Sequence, residues 1–372
     1  MASRELQVLF VAPVAVEGGV AEVLSGLVRH AAVAGYRAHV LFLRPGPAAQ
    51  RLEWCASDVR VVDAGRMRSP RAVVGAIRAV ADVLDQTRPD VVVGMEPSAQ
   101  IYVAAPARRR RIPVVWQQHA CVDPRSVVER VARRLPAQEV IANSSFVAGP
   151  LRSRVNATVT VVHPGIDRER FATADGGPVR RDLGLTPEAP VVGIVARLQP
   201  WKGQDVFLRA AARIAARRTD AHFLVVGGAE MGWEQGDYPR ALRDLAQELG
   251  IADRVTFTGQ VDDPAPWTAA CDVVVSASTQ EPFGMAICEA QAAGRAVVAV
   301  AEGGPLEIIE DGVSGLLRPR DPIDLAEAVL TLLADGDLRR RVESGAAATA
   351  RDRHDGARMA RELGRRLRAV AA

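Results

Sequence analysis

Short runs of β-branched and aliphatic residues recur along this 372-residue chain, and between them lie stretches with apolar residues at helical spacing. In the first half, residues 6–12, 38–43, 59–63, 90–94, 113–117, 139–142 and 159–163 read as strands. The second half continues with 190–197, 222–227, 255–258, 273–275 and 296–300. Runs this uniformly apolar fit strands covered on both faces. Residues 21–34, 70–87, 125–135, 203–218, 238–249, 285–293, 322–334, 338–350 and 358–370 read as helices. Alternation of the two kinds predicts an α/β protein built on largely parallel sheets.

The length exceeds what one core usually serves, which predicts two domains. The Gly- and Pro-bearing stretch 173–190 holds the linker, so the domains are read as 1–170 and 171–353, followed by a basic tail, 354–372. Hydrophobic residues make up 48% of the chain and charged ones 24%, which argues for a folded globular protein. The first apolar run is too short to span a membrane and lacks a signal-peptide cleavage site, which points to the cytoplasm. Cys55, Cys121, Cys271 and Cys288 show no paired ligand spacing and read as reduced, buried thiols. The net charge of +3 is unevenly spread: 23 basic against 15 acidic residues up to position 172, then 17 against 26 from 173 to 350. Two surfaces with different partners are implied.

The densest chemistry lies between Cys271 and Val300. A buried strand there is broken by Pro282 and Gly284, continues as a helix, stops at Gly294 and re-enters the sheet. Glu281 sits in the loop at the strand's carboxyl end, and Glu289 follows eight residues later in the first turns of the helix. Backbone N–H groups at a helix start suit phosphate or polyol oxygens, and each carboxylate can accept hydrogen bonds from neighbouring hydroxyls. Taken alone, the two acids could equally be solvated surface charges.

Three further places share the strand-to-helix position at which open α/β sheets bind ligands. Gly18 and Gly19 follow the first strand, where glycine lets backbone approach a phosphate or sugar; Gly-x-Gly-x-x-Gly is absent, so this is not the dinucleotide fingerprint. His119 ends the run 113–119. Arg197 and Lys202 flank the turn after strand 190–197 and can converge on one anion. Lys202 is the only lysine, against 46 arginines. A compact ammonium suits the middle of a diphosphate.

Ser278-x-x-Glu281-Pro-Phe283-Gly284-x-x-x-x-Glu289-Ala-x-Ala-x-Gly294 resembles the signature of the retaining glycosyltransferase family 4. That resemblance implies a GT-B fold: two Rossmann-like domains with parallel sheets facing a central cleft, the C-terminal helix 354–372 packing back on the first. It implies that Glu281 contacts the transferred sugar and Glu289 the nucleotide ribose. Arg197-Leu-x-x-x-Lys202-Gly matches the family's diphosphate-binding motif. His119 and the pair Gly18, Gly19 match positions facing the donor sugar and phosphates, Val261 a contact beside the nucleobase, and Phe283, Gly284 and Met285 the donor loop. His163-Pro164-Gly165 departs from the family's usual Pro-Asn-Gly.

The expected activity is therefore transfer of a sugar from a nucleotide-diphosphate sugar, UDP first among them, to a hydroxyl of a small natural product, sugar-like molecule or glycan. His119 and Glu281 orient the sugar. Fixed electrostatics on the leaving group imply no metal and no cofactor. A basic surface at Arg108–Arg111 and 125–135 is a solvated face, an anionic acceptor site or a contact with anionic membrane. The last is not favoured, because no exposed aromatic or bulky aliphatic cluster accompanies it. A membrane-associated enzyme acting on phospholipid or polysaccharide remains the alternative. A phosphorylase carrying pyridoxal phosphate on Lys202, or an epimerase, ranks below it. Nucleic acid is not expected as a partner, since aromatics are only 4% and no recognition motif occurs.

Overall fold

The computed structural model describes residues 5–15, 18–65, 67, 69–229 and 237–372. Val16 and Glu17, in the first glycine turn, lie outside them. The chain divides into two compact units, Met1–Ile166 with Asp355–Ala372, and Asp167–His354.

The first unit is built on seven strands: β1 (Leu6–Ala12), β2 (Tyr36–Phe42), β3 (Asp58–Val61), β4 (Val91–Met95), β5 (Val114–Gln118), β6 (Glu139–Ala142) and β7 (Thr158–Val161). They pair in parallel in the order β3-β2-β1-β4-β5-β6-β7. The second unit holds six: β8 (Val191–Val195), β9 (His222–Val226), β10 (Val255–Gly259), β11 (Val273–Ser276), β12 (Ala296–Val300) and β13 (Leu316–Arg318). These too are all parallel, ordered β10-β9-β8-β11-β12-β13. Every residue of β4, β5 and β12 is buried. That is why these strands read as unbroken apolar runs: helices cover both faces of a parallel sheet. Each unit has its own core, around Leu9, Val80, Leu84 and Val103 in the first and Phe207, Phe223, Val298 and Val329 in the second.

Several elements differ from the sequence reading. The helix expected over 21–34 is two, Gly19–Arg29 and Ala31–Ala34, interrupted at His30 and closed by Gly35 at φ +74°. The helix expected over 125–135 runs only Val127–Ala132, started by the Ser126 side chain accepting from the Glu129 N–H. Three of its side chains sit opposite to the expected face: Val127 and Val131 are exposed, while Glu129 is buried and accepts from the Asp123 N–H. Of the four thiols Cys271 and Cys288 are buried, but Cys55 and Cys121 are only half-buried. Among the described residues no helix is long and apolar enough to cross a membrane.

The terminal helix Gly356–Ala371 belongs to the first unit, burying Met359, Leu363 and Leu367. It comes so close to the Ala31–Ala34 helix that a Cβ on Gly364 would lie 2.6 Å from the Ala34 carbonyl oxygen. Arg366 Nη1 donates to Glu139 Oε1 at 2.9 Å, and Arg368 Nη1 donates to the Ala34 carbonyl at 2.8 Å. Glu139 is only 9% exposed in its side chain, so it depends on the half-buried Arg366 and on the Thr160 hydroxyl for compensation. Arg366→Ala is expected to destabilise the first unit by about 2 kcal/mol, read as a fall in Tm, because it strands a buried carboxylate.

Candidate functional site

Both sheets carry a topological switch point, where the chain leaves adjacent strands in opposite directions, and ligands bind outside the carboxyl ends of such strands. In the second unit the switch lies between β8 and β11. After β8 the chain makes a single 3₁₀ turn, Pro200–Lys202, and Gly203 follows at φ +74°. A Cβ at Gly203 would lie 2.2 Å from the Ala277 carbonyl oxygen, so only glycine lets the turn press onto the exit of β11. The Thr279 N–H donates to the Trp201 carbonyl at 2.8 Å and fastens the two loops.

This packing brings Lys202 Nζ to 2.8 Å from Glu281 Oε2, with the side chains only 17% and 9% exposed. The ammonium also stands over the Trp201 indole, 4.0 Å from a ring centroid, and the indole is oriented by donating Nε1–H to Gln199 Oε1 at 2.9 Å. A third loop clasps the other side of Glu281. The Gly304 N–H donates to the Glu281 carbonyl at 2.8 Å, and side chains at Gly303 or Gly304 would collide with the backbone of Glu281 or Phe283. Phe283 is buried, its ring edge-on to His354. Gly284, at φ +115°, precedes the helix Met285–Ala292 and offers no capping side chain to its first turn. Met285 opens that helix, and Glu289 stands half-buried in its second turn.

Arg197 lies two residues past β8 at the same edge, exposed, its carbonyl accepting from Gln204 Nε2 at 2.8 Å. Val261 is half-buried two residues past β10, two strands from β8. The sequence-predicted residues of this unit thus all follow carboxyl strand ends, and Lys202 and Glu281 are in direct contact. Asp335-Gly-Asp337, the one Asp-x-Asp of the chain, is spent on starting the helix Gly336–Arg353: Asp335 Oδ1 accepts from the Leu338 N–H at 2.8 Å.

In the first unit the switch lies between β1 and β4. Gly18, at φ +149°, precedes the helix Gly19–Arg29, and a Cβ at Gly18 or Gly19 would meet nothing within 4 Å. Backbone conformation, not crowding, therefore calls for glycine at Gly18. His119 follows β5 directly. Its N–H donates to Glu96 Oε1 at 3.1 Å and its carbonyl accepts from Asn143 Nδ2 at 2.8 Å. Part of the residue is exposed, yet Nε2 is shut off from solvent and finds no hydrogen-bond partner among the described residues. Burial lowers its imidazole to about 4, so the ring is neutral near pH 7. Gln117 Oε1 and Gln118 Oε1 are likewise buried without partners.

Glu96, at the end of β4, escaped the sequence reading. It sits in the left-handed region at φ +70°, and burial pushes its carboxyl up to about 7 against hydrogen bonds from the His119 and Ala120 N–H groups. Its one sequence signal is Glu-Pro directly after an apolar strand. Trp201 was also missed as a support for Lys202. Arg108 and Arg109 end the helix Glu96–Arg109 and border a cavity of about 420 Å³ with Ala104, Ala105, Leu135 and Pro136. That helix runs back from the carboxyl edge of β4, so these arginines lie at the sheet edge opposite His119.

Two family models match the chain: "Glycosyltransferase Family 4" over residues 17–170 and "Glycosyl transferases group 1" over 189–335. The chain belongs to glycosyltransferase family 4. Among relatives of this family 4 protein, a D-inositol 3-phosphate glycosyltransferase of Frankia alni is 37% identical over 278 residues, covering 67% of this chain and 66% of the relative. One of Stackebrandtia nassauensis is 44% identical over 195 residues, covering 50% of this chain and 44% of the relative. The chain spans about half the length of the first curated relatives it matches. The crystal structure of Anabaena Alr3699/HepE in complex with UDP and glucose superposes with a TM-score of 0.85 at 27% identity, covering 98% of this chain and all of that one. Its fold is thus that of GT-B glycosyltransferases, two Rossmann-like domains with parallel sheets.

Two measurements check this geometry. Gly203→Ala is expected to lower Tm and to weaken binding of anions at Lys202, since left-handed backbone costs a non-glycine residue about 1 kcal/mol before any clash is counted. The His119 ring, assigned in NMR spectra by comparison with His119→Gln, is expected to titrate near pH 4 rather than 6.5. The ring stays neutral above that value, while an unfolded histidine protonates near 6.5, so the stability that depends on the neutral ring is lost progressively as pH falls from about 6.5 to about 4.

Proposed function

We propose that this protein is a retaining glycosyltransferase that moves a sugar from a nucleotide-diphosphate donor, UDP-linked, to a hydroxyl of a small sugar-like or polyol acceptor. The observation that carries this reading is the Lys202–Glu281 contact, 2.8 Å long, at the carboxyl edge of β8 and β11. As the bond from the sugar's anomeric carbon to the β-phosphate oxygen breaks, negative charge grows on the diphosphate. Lys202, with Arg197 and the start of helix Met285–Ala292, would stabilise that charge by fixed electrostatics. Glu281, already bound to the ammonium, would accept from sugar hydroxyls, and Glu289 from the ribose. The acceptor oxygen would bond to the anomeric carbon on the face the diphosphate leaves, its proton passing to the departing phosphate oxygen, which retains the configuration. His119 would serve as a neutral hydrogen-bonding group, not as a base.

The donor assignment draws support from the neighbouring structure's UDP and glucose, and the polyol class from the relatives' D-inositol 3-phosphate. Thermal shift with a panel of nucleotides and nucleotide sugars tests the site. Ligand at about 100 times Kd stabilises by about 2.7 kcal/mol, so UDP is expected to raise the wild-type Tm by several degrees and to leave Lys202→Ala unmoved. Equal stabilisation of the variant would refute the assignment. Retention is checked by the anomeric coupling constant of the first-formed product in NMR.

A further inference from the structure

Glu96 is built in a costly way. Non-glycine residues avoid the left-handed region by roughly 1–2 kcal/mol, and a following proline disfavours helical backbone as well. Glu96 adopts φ +70° with Pro97 next in sequence. Its carboxyl then turns to accept from two successive N–H groups of the loop after β5, His119 at 3.1 Å and Ala120. The rest of that loop is tied from the opposite side. Asn143 Nδ2 donates to the His119 carbonyl at 2.8 Å, the Asn143 N–H to the Gln118 carbonyl at 3.2 Å, and Gln118 Nε2 to the Ala120 carbonyl at 2.9 Å. The backbone of His119 is therefore committed at both its N–H and its C=O, while the buried ring nitrogen Nε2 has no partner among the described residues.

We propose that Glu96 is a positioning residue: its carboxyl, in a left-handed backbone conformation ahead of Pro97, clamps the His119–Ala120 backbone and so fixes the orientation of the imidazole at the carboxyl end of β5. This rests on the transferase reading for its chemistry, but not for its mechanics. Strain concentrates where geometry must be over-determined, and a misplacement on the order of 1 Å can cost about a hundredfold in rate.

The experiment compares wild type with Glu96→Ala, Glu96→Asn, Glu96→Gln, His119→Ala and the double variant Glu96→Ala/His119→Ala. Asparagine tolerates left-handed backbone but is one methylene too short, so it separates the clamp from the fold. Hydrogen exchange of the peptide 114–121 is expected to accelerate about tenfold or more in the alanine and asparagine variants and to stay close to wild type in the glutamine variant. The kcat is expected to fall about 10- to 100-fold in the first two, with donor KM nearly unchanged, and to be largely restored by glutamine. The double variant is expected to be no slower than His119→Ala, because a residue acting through another adds nothing once that one is gone. Unchanged exchange in Glu96→Asn, or losses that multiply in the double variant, would overturn the proposal. If wild type transfers no sugar while UDP stabilisation and the exchange pattern hold, the acceptor reading fails and the clamp stands.

Discussion

An ammonium and a carboxylate pressed together with little solvent are an expensive way to stabilise a fold, because desolvation of the two charges offsets most of their attraction. Lys202 and Glu281 are such a pair, and the second unit is shaped around it. Gly203 gives up a side chain so that the 3₁₀ turn can touch Ala277. Gly303 and Gly304 do the same so that a third loop can reach the backbone of Glu281 and Phe283. Trp201 places an aromatic face under the ammonium. Three loops from three neighbouring strands thus converge on one ion pair, and hydrophobic packing could have joined them at less cost. What the pair provides is a cation held at a fixed place by the acid beside it.

The parts of this arrangement legible in the sequence were those that chemistry makes rare. A single lysine among 46 arginines stands out, as does a pair of glutamates around Pro-Phe-Gly after an apolar strand. The strands of both sheets could be read because parallel sheets demand unbroken apolar runs; β13, three residues long at a sheet edge, could not. The helix Glu96–Arg109 escaped because buried residues occur around most of its circumference and Pro106 lies inside it, which leaves no clear stripe to read. The short helix Val127–Ala132 misled for a related reason: Val127 and Val131 face out and Glu129 faces in, so the apolar pattern does not mark its buried side.

Glu96 shows the deeper limit. As a letter it is a glutamate before a proline, indistinguishable from a helix start on any surface. Its role depends on a backbone angle and on where β5 ends relative to β4, which are properties of strand register rather than of composition. Lys202 could be singled out because its identity is unusual; Glu96 could not, because only its conformation is.

The two switch points share a topology and differ in what they offer. That of the second unit presents formal charge, Lys202 and Glu281, at the edge where Arg197 also stands. The first unit presents neutral hydrogen-bonding groups: an imidazole that burial keeps unprotonated near pH 7, and the side-chain oxygens of Gln117 and Gln118, buried without partners. A buried acceptor left unmade costs about 1–3 kcal/mol, so the side-chain oxygens of Gln117 and Gln118 are a standing destabilisation at the end of β5. An anion would not relieve it, since the two carbonyl oxygens repel negative charge. Arg108 and Arg109, in the last turn of the helix Glu96–Arg109, lie at the opposite edge. The first edge therefore offers neutral polar groups, and the second a cation held beside an acid.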